Sequence, residues 1–201
     1  MAYDPNIHHR HSIRLKDYDY SMRGFYFVTI CSYNHIPRFG KIIDGTMQLN
    51  GIGRIVLSEW ELLQNRFPHI ICREHVVMPN HFHGIIQIAS EIDPQVGAPL
   101  AGAQEEMISN VHTGHPQGAP LHIKEANISK VTLGEVIGAF KSITTNRILK
   151  NYDKIDLKIG RLWQRNFYEH VIRNQHSYDE IAEYIRTNPL QWENDKLYRH
   201  G

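Results

Sequence analysis

Two pairs of residues in this sequence have types and spacings that could do chemistry together. His81 and His83 flank Phe82 at the head of an apolar run, HGIIQIA. In a β-strand, residues i and i+2 project from one face, so the two imidazoles stand side by side while Phe82 enters the opposite layer. That is a two-nitrogen ligand platform; the plainer alternative is a pair of surface histidines after a turn. A buried strand is a poor place for two imidazoles with no task. Far downstream, in IAEYIRTNP, Tyr184 and Asn188 are spaced i, i+4 and share one face of a helix. Asn188 could complete a facial metal site near the phenol. Its alternative is helix termination before Pro189, and that of Tyr184 is half-buried packing.

Joined, the pairs have a chemical logic. A divalent cation held by two neutral imidazoles and a neutral amide keeps its positive charge for a phosphate oxygen and leaves positions open for substrate. A phenol, with an ordinary pKa of about 10, is a weak nucleophile until it is oriented and loses its proton. Attack on a polarised phosphate gives a phosphotyrosyl intermediate and a free 3′-hydroxyl, with no need for nucleotide hydrolysis. The sequence contains no P-loop motif. A zinc-dependent hydrolase would instead call for a third histidine or an acid beside the pair. His75 is near in sequence, but the turn at Met78-Pro79-Asn80 separates it from His81.

The elements that must position these groups follow from periodicity. GFYFVTICSYN, residues 24 to 34, reads as a central strand. KIIDGTMQLN, 41 to 50, carries Asp44-Gly45 between apolar runs and reads as a hairpin. Ile52, Ile55, Val56, Trp60 and Leu63 recur at helical spacing up to Pro68. Residues 70 to 89 form two strand-like halves joined at 78 to 80. Residues 90 to 130 are rich in Gly, Pro, Ala and Gln, repeat the tetrapeptide GAPL, and read as a flexible insertion. A helix over 132 to 151 opens on a Thr132/Glu135 capping box. Residues 161 to 174 read as a strand and 176 to 189 as a helix ended by Pro189. This order favours an α+β domain with a largely antiparallel sheet and helices packed on one face.

Composition narrows the class. Of 201 residues 41% are hydrophobic and 21% charged, which suits one globular domain and not a disordered chain. No apolar stretch reaches the roughly 18 residues of a membrane span, and no secretory leader is legible, so a cytoplasmic protein is expected. Cys31 and Cys72 lie in apolar strand-like runs and are expected to be reduced and inert. The net charge of +1 conceals a polarity: residues 141 to 175 hold eight Lys/Arg against three Asp/Glu, while 90 to 130 hold two against five. A basic band of this kind suits a polyanion, or simply a solvated helix face.

With these residues in view, the chain resembles the IS200-like, single-tyrosine transposases of the HUH superfamily, most closely the REP-associated tyrosine transposases. VVMPNHFHGIIQI, FKSITTNRI, LWQRNFYEHVIRN and YDEIAEYIRTNP carry the resemblance, over roughly residues 20 to 192 apart from the insertion. It implies a ferredoxin-like or RRM-like fold and cleavage and joining of single-stranded DNA through a 5′-phosphotyrosine. It also implies dependence on Mg²⁺ or Mn²⁺ and recognition of hairpin DNA. His81 and His83 match the paired metal ligands, Tyr184 the nucleophile, and Asn188 the third ligand, where many relatives have Gln. Tyr168 is the rival nucleophile but lacks an amide at helical spacing, and it is expected to pack or to meet DNA. Lys141, Arg147, Lys150, Arg161, Arg165 and Arg173 gain backbone phosphates as partners, and Trp163 and Tyr168 gain bases to stack on. The expected organisation is an arm over 1–23, a catalytic domain over 24–192 with its insertion, and a tail over 193–201, acting as a monomer or homodimer. The same fold serving as a non-catalytic DNA-binding regulator is the alternative function.

Overall fold

A computed structural model describes residues 15, 17–89, 131–152 and 160–198. His8, His9, His11 and the insertion at 90–130 lie outside the described residues. The centre is a four-stranded sheet of β1 (Gly24–Cys31), β4 (Ile70–Val77), β5 (His81–Ile88) and β6 (Tyr168–Ile172), in the order β4-β5-β1-β6. Every pairing in it is antiparallel. β2 (Gly40–Ile43) and β3 (Thr46–Leu49) form a separate hairpin, turned at Asp44 and Gly45, both with positive φ as a tight two-residue hairpin turn demands.

Alternation splits the sheet into two chemically different faces. Tyr26, Val28, Ile30, Phe82 and Ile86 point to one side, where α1 (Gly51–Glu61), the short α2 (Leu63–Arg66) and α3 (Leu133–Tyr152) bury Trp60, Leu63, Val136 and Phe140 against them. Asn50 caps α1 by accepting the Gly53 N–H at 2.9 Å, and the Thr132/Glu135 box closes at the start of α3. The other face carries Phe25, Phe27, Thr29, His81, His83 and Ile85. α4 (Gln175–Thr187) covers part of it with Ala182 and Ile185. The antiparallel α+β sheet is as expected, but its helices are not all on one face: α4 lies opposite α1 and α3. That second face is where the histidines emerge.

Three local expectations differ. Only Tyr168–Ile172 of the run 161–174 pairs as a strand. Lys141 Nζ donates to the carbonyls of Gln164, Arg165 and Asn166, so these acceptors serve an ammonium in place of a neighbouring strand. α4 does end at Thr187 ahead of Pro189, but the chain goes on as a 3₁₀ segment over Asn188–Asn194, in whose first turn the proline's missing N–H is no loss. Residues 193–198, expected as part of a tail, fold back onto the histidine face: Leu197 accepts a hydrogen bond from Asn80 Nδ2 at 2.7 Å.

Candidate active site

His81 and His83 open β5, paired with Cys31 and Thr29 of β1, and their ring centroids are 4.5 Å apart. Each ring is fixed by a neighbour. His81 Nδ1 bonds Asn80 Oδ1 at 2.8 Å, while Asn80 Nδ2 donates to the carbonyls of His35 and Leu197. Those two donations fix the amide's orientation, so its oxygen faces the ring and Nδ1 must carry the proton. The lone pair of His81 is thereby placed on Nε2. His83 Nδ1 meets Thr29 Oγ1 at 2.8 Å, and its ring stacks on Phe27 with centroids 5.3 Å apart. Holding the remote nitrogen this way orients an imidazole whose other nitrogen is meant for a ligand.

Both imidazoles are buried, at 0% and 3% exposure. Burial pushes His81 down to about 4, against the pull of the Asp195 carboxylate. Burial, followed by the neighbouring His81, lowers His83 well below the usual histidine range. The pair is therefore neutral at physiological pH, the state in which imidazole binds metals.

α4 supplies the rest of the expected set. Asn174 caps it by accepting the Ser177 N–H at 2.8 Å, and the apolar positions Ile181, Ala182 and Ile185 seat it on the sheet. Its last turn reaches the start of β5. Tyr184 Oη lies 3.3 Å from His83 Nε2, and the phenol ring meets Phe27 edge-on at 6.2 Å. Asn188 is 1% exposed and donates from Nδ2 to Asp195 Oδ2 at 2.9 Å, which leaves its Oδ1 as the free end. The fold thus brings His81, His83, Tyr184 and Asn188 together within one chain.

Sequence reasoning missed Asp195. Its carboxylate, with His81 and His83, offers ligand atoms that all lie within 4.8 Å of one another. Oδ2 is 3.5 Å from Tyr184 Oη, and Oδ1 accepts the Leu197 N–H at 2.6 Å. Burial first, and then this carboxylate, raise the Tyr184 phenol to about 12. No pattern in WENDK marks Asp195; only the 3₁₀ continuation beyond Pro189 brings it round. Asn80, by contrast, stands directly before HFH and could have been proposed as the residue orienting its neighbour.

Whether these residues fit a metal can be tested on their own atoms. Two buried atoms in this cluster, His81 Nε2 and Asn188 Oδ1, have no hydrogen-bond partner among the described residues. A buried polar atom left so costs about 1–3 kcal/mol. Two such acceptors beside a second imidazole and a carboxylate fit one shared divalent cation, with nitrogen and oxygen donors of the kind such ions take. The site opens on a cleft of about 510 Å³ walled by Tyr184, Asp195, Phe27 and Tyr168. His75 takes no part, since its ring stacks on Phe82 in the opposite layer.

The candidate DNA contacts divide. Trp163 is a correction: it is 4% exposed, donates from Nε1 to Thr144 Oγ1 at 2.9 Å and packs on Phe39, so its ring is core and cannot stack on a base. Lys141 is occupied by three carbonyls, and burial lowers its ammonium to about 8. Arg147 pairs with the buried Glu59 of α1, on the side of the sheet away from the cleft. Lys150 is exposed near the end of α3. Arg161, Arg165 and Arg173 are exposed on either side of β6, with Arg161 resting over the Tyr33 ring at 5.1 Å. Tyr168 is 54% exposed. No helix among the described residues is long and apolar enough to cross a membrane.

Comparison with known proteins bears on the chain's relatives and its fold. No family model matches the chain. An uncharacterized protein of Haemophilus influenzae is 40% identical over 196 residues, covering 98% of this chain and 97% of that one. Among solved structures, a REP-associated tyrosine transposase bound to a REP hairpin aligns with a TM-score of 0.51 and 17% identity, over 91% of this chain and 76% of that one. The chain belongs to one family with the Haemophilus protein, and its fold is that of the REP-associated tyrosine transposase.

Proposed function

We propose that the protein is a metal-dependent DNA strand transferase of the HUH tyrosine type, cleaving and rejoining single-stranded DNA through a 5′-phosphotyrosine on Tyr184. The observation that carries this reading is the convergence of two buried, unpartnered ligand atoms, His81 Nε2 and Asn188 Oδ1, beside a second imidazole and a phenol, His83 and Tyr184, that line an open cleft. The fold shared with a transposase that binds a REP hairpin supports hairpin-bearing DNA as the substrate. His81, His83 and Asn188 would hold Mg²⁺ or Mn²⁺, with the Asp195 carboxylate at its edge. When bound, the cation supplies a Lewis acid for a phosphate oxygen.

The protein's own groups do the rest. Tyr184 Oη attacks phosphorus; the new O–P bond forms as the bond from phosphorus to the 3′ oxygen breaks, and the phenol proton passes to Asp195 Oδ2. The departing 3′ oxygen takes a proton from solvent. Rejoining runs the same exchange backwards, with a 3′-hydroxyl attacking the phosphotyrosine. Phe27, His83 and Tyr184 pack as three mutually touching rings, limiting how far the nucleophile can swing. One chain supplies every group, so a monomer contains a whole site.

The test is incubation of the protein with hairpin-bearing single-stranded DNA and Mn²⁺ or Mg²⁺. A denaturation-resistant protein–DNA adduct should form, vanish with EDTA, and be absent from the His81→Ala, His83→Ala double variant even though that variant still binds the DNA. Binding without any adduct would instead indicate a non-catalytic regulator.

A further inference from the structure

The register of the sheet puts one aromatic where the catalytic chemistry does not use it. Tyr168 of β6 pairs with Thr29 of β1, which pairs in turn with His83 of β5. Paired residues project from the same face of an antiparallel sheet, so Tyr168, Thr29 and His83 form one row across three strands. At a strand spacing of about 4.8 Å, Tyr168 sits roughly 10 Å from the metal-ligand position, on the floor of the same cleft as Tyr184.

Its surroundings set it apart from the other rings of that face. Phe25 packs edge-on against Tyr178, and Phe27 touches both His83 and Tyr184. Tyr168 is 54% exposed, and among the described residues its side chain has no ring neighbour and no hydrogen bond. A large exposed aromatic without a packing role is unusual on a face where its neighbours are in contact. A nucleobase offers a flat π-face for such a ring, and stacking of this kind accepts any base. Arg165 is exposed three residues before the same strand, where it suits a phosphate of a nucleotide lying over Tyr168.

We propose that Tyr168 is the stacking platform for the base of a nucleotide flanking the attacked phosphate, and so positions the single strand over the metal site. The inference rests on the proposed function. It turns the rival nucleophile into a positioning residue whose ring matters and whose hydroxyl does not.

The test uses the Tyr184→Phe protein, which cannot form the adduct, so that binding is read without cleavage. Its ligand is an oligonucleotide carrying a hairpin and a mixed-sequence single-stranded flank, alongside a series with one abasic site stepped along that flank. Tyr168→Ala should weaken binding about 5- to 150-fold, the range for loss of one base–aromatic stack, and Tyr168→Phe should restore it to within about twofold. At one abasic position the penalty of Tyr168→Ala should disappear. Equal binding by Tyr168→Ala, or a penalty that persists at every abasic position, would overturn the inference. Failure of wild-type protein to form any adduct, with the stacking effect intact, would strike only the catalytic reading. No binding to single-stranded DNA at all would remove both.

Discussion

His81 and His83 owe their readiness for metal to the residues behind them. Asn80 fixes one imidazole and Thr29 the other, each through Nδ1, which leaves Nε2 of each ring for a ligand. Asn80→Ala should therefore weaken Mn²⁺ binding about 10- to 100-fold without touching a ligand, as measured by calorimetric titration. Burial makes a second prediction at this scale. In metal-free protein both histidines titrate below their unfolded value of about 6.5, His81 near 4, so between these pH values the unfolded chain binds protons that the folded one refuses. Their contribution to stability is complete above pH 6.5 and is lost as pH falls towards 4. Thermal melts in EDTA should show that decline, and the His81→Gln, His83→Gln variant should show a shallower one. The HFH pair, Tyr184 and Asn188 were legible in the sequence because each pair has a spacing that only one secondary structure turns into a shared face. Asp195 was not, since its place depends on a turn of chain that no local pattern encodes.

At the scale of elements, the ligand strand is seated by close packing directly behind it. A Cβ on Gly84 would lie 2.5 Å from the Trp60 ring, so glycine lets α1 press against β5 next to His83. Gly84→Ala should destabilise the protein by about 1–3 kcal/mol in chemical denaturation, the usual range for overpacking. Lys141 does comparable work between α3 and the loop before β6. Lys141→Met removes the donor for three carbonyls and should also cost about 1–3 kcal/mol, although Lys141 faces no DNA in this account. The hairpin, the capping box and the helix carrying Tyr184 could be read in advance because local chemistry dictates each of them. The run from Arg161 to Phe167 could not, because among the described residues it bridges to the chain only at Trp163, and a lysine distant in sequence takes the carbonyls of residues 164 to 166. Nor could the course beyond Pro189, where the same proline that bars a helix interior is welcome in a first turn.

For the whole molecule, the sheet's two faces separate structure from chemistry: one is sealed by α1 and α3, and the other holds α4, the 3₁₀ segment and the cleft. The basic band expected from the sequence divides by partner. Arg147 is tied to Glu59 behind the sheet, while Arg161, Arg165 and Arg173 are exposed in the segments before and after β6. Affinity for single-stranded DNA should thus fall with salt at a log–log slope of about −2, as for three released counterions. Replacing the three exposed arginines should flatten that slope, and Arg147→Ala should leave it unchanged. The most direct test of the account concerns which oxygen carries the DNA when the intact protein reacts. Peptide mapping of the trapped adduct, made with hairpin-bearing single-stranded DNA and Mn²⁺, should find the nucleotide on Tyr184; Tyr184→Phe should reduce adduct to background, and Tyr168→Phe should still form it. A nucleotide mapped to Tyr168, or adduct persisting in Tyr184→Phe, would contradict the assignment of both the nucleophile and the helix that presents it.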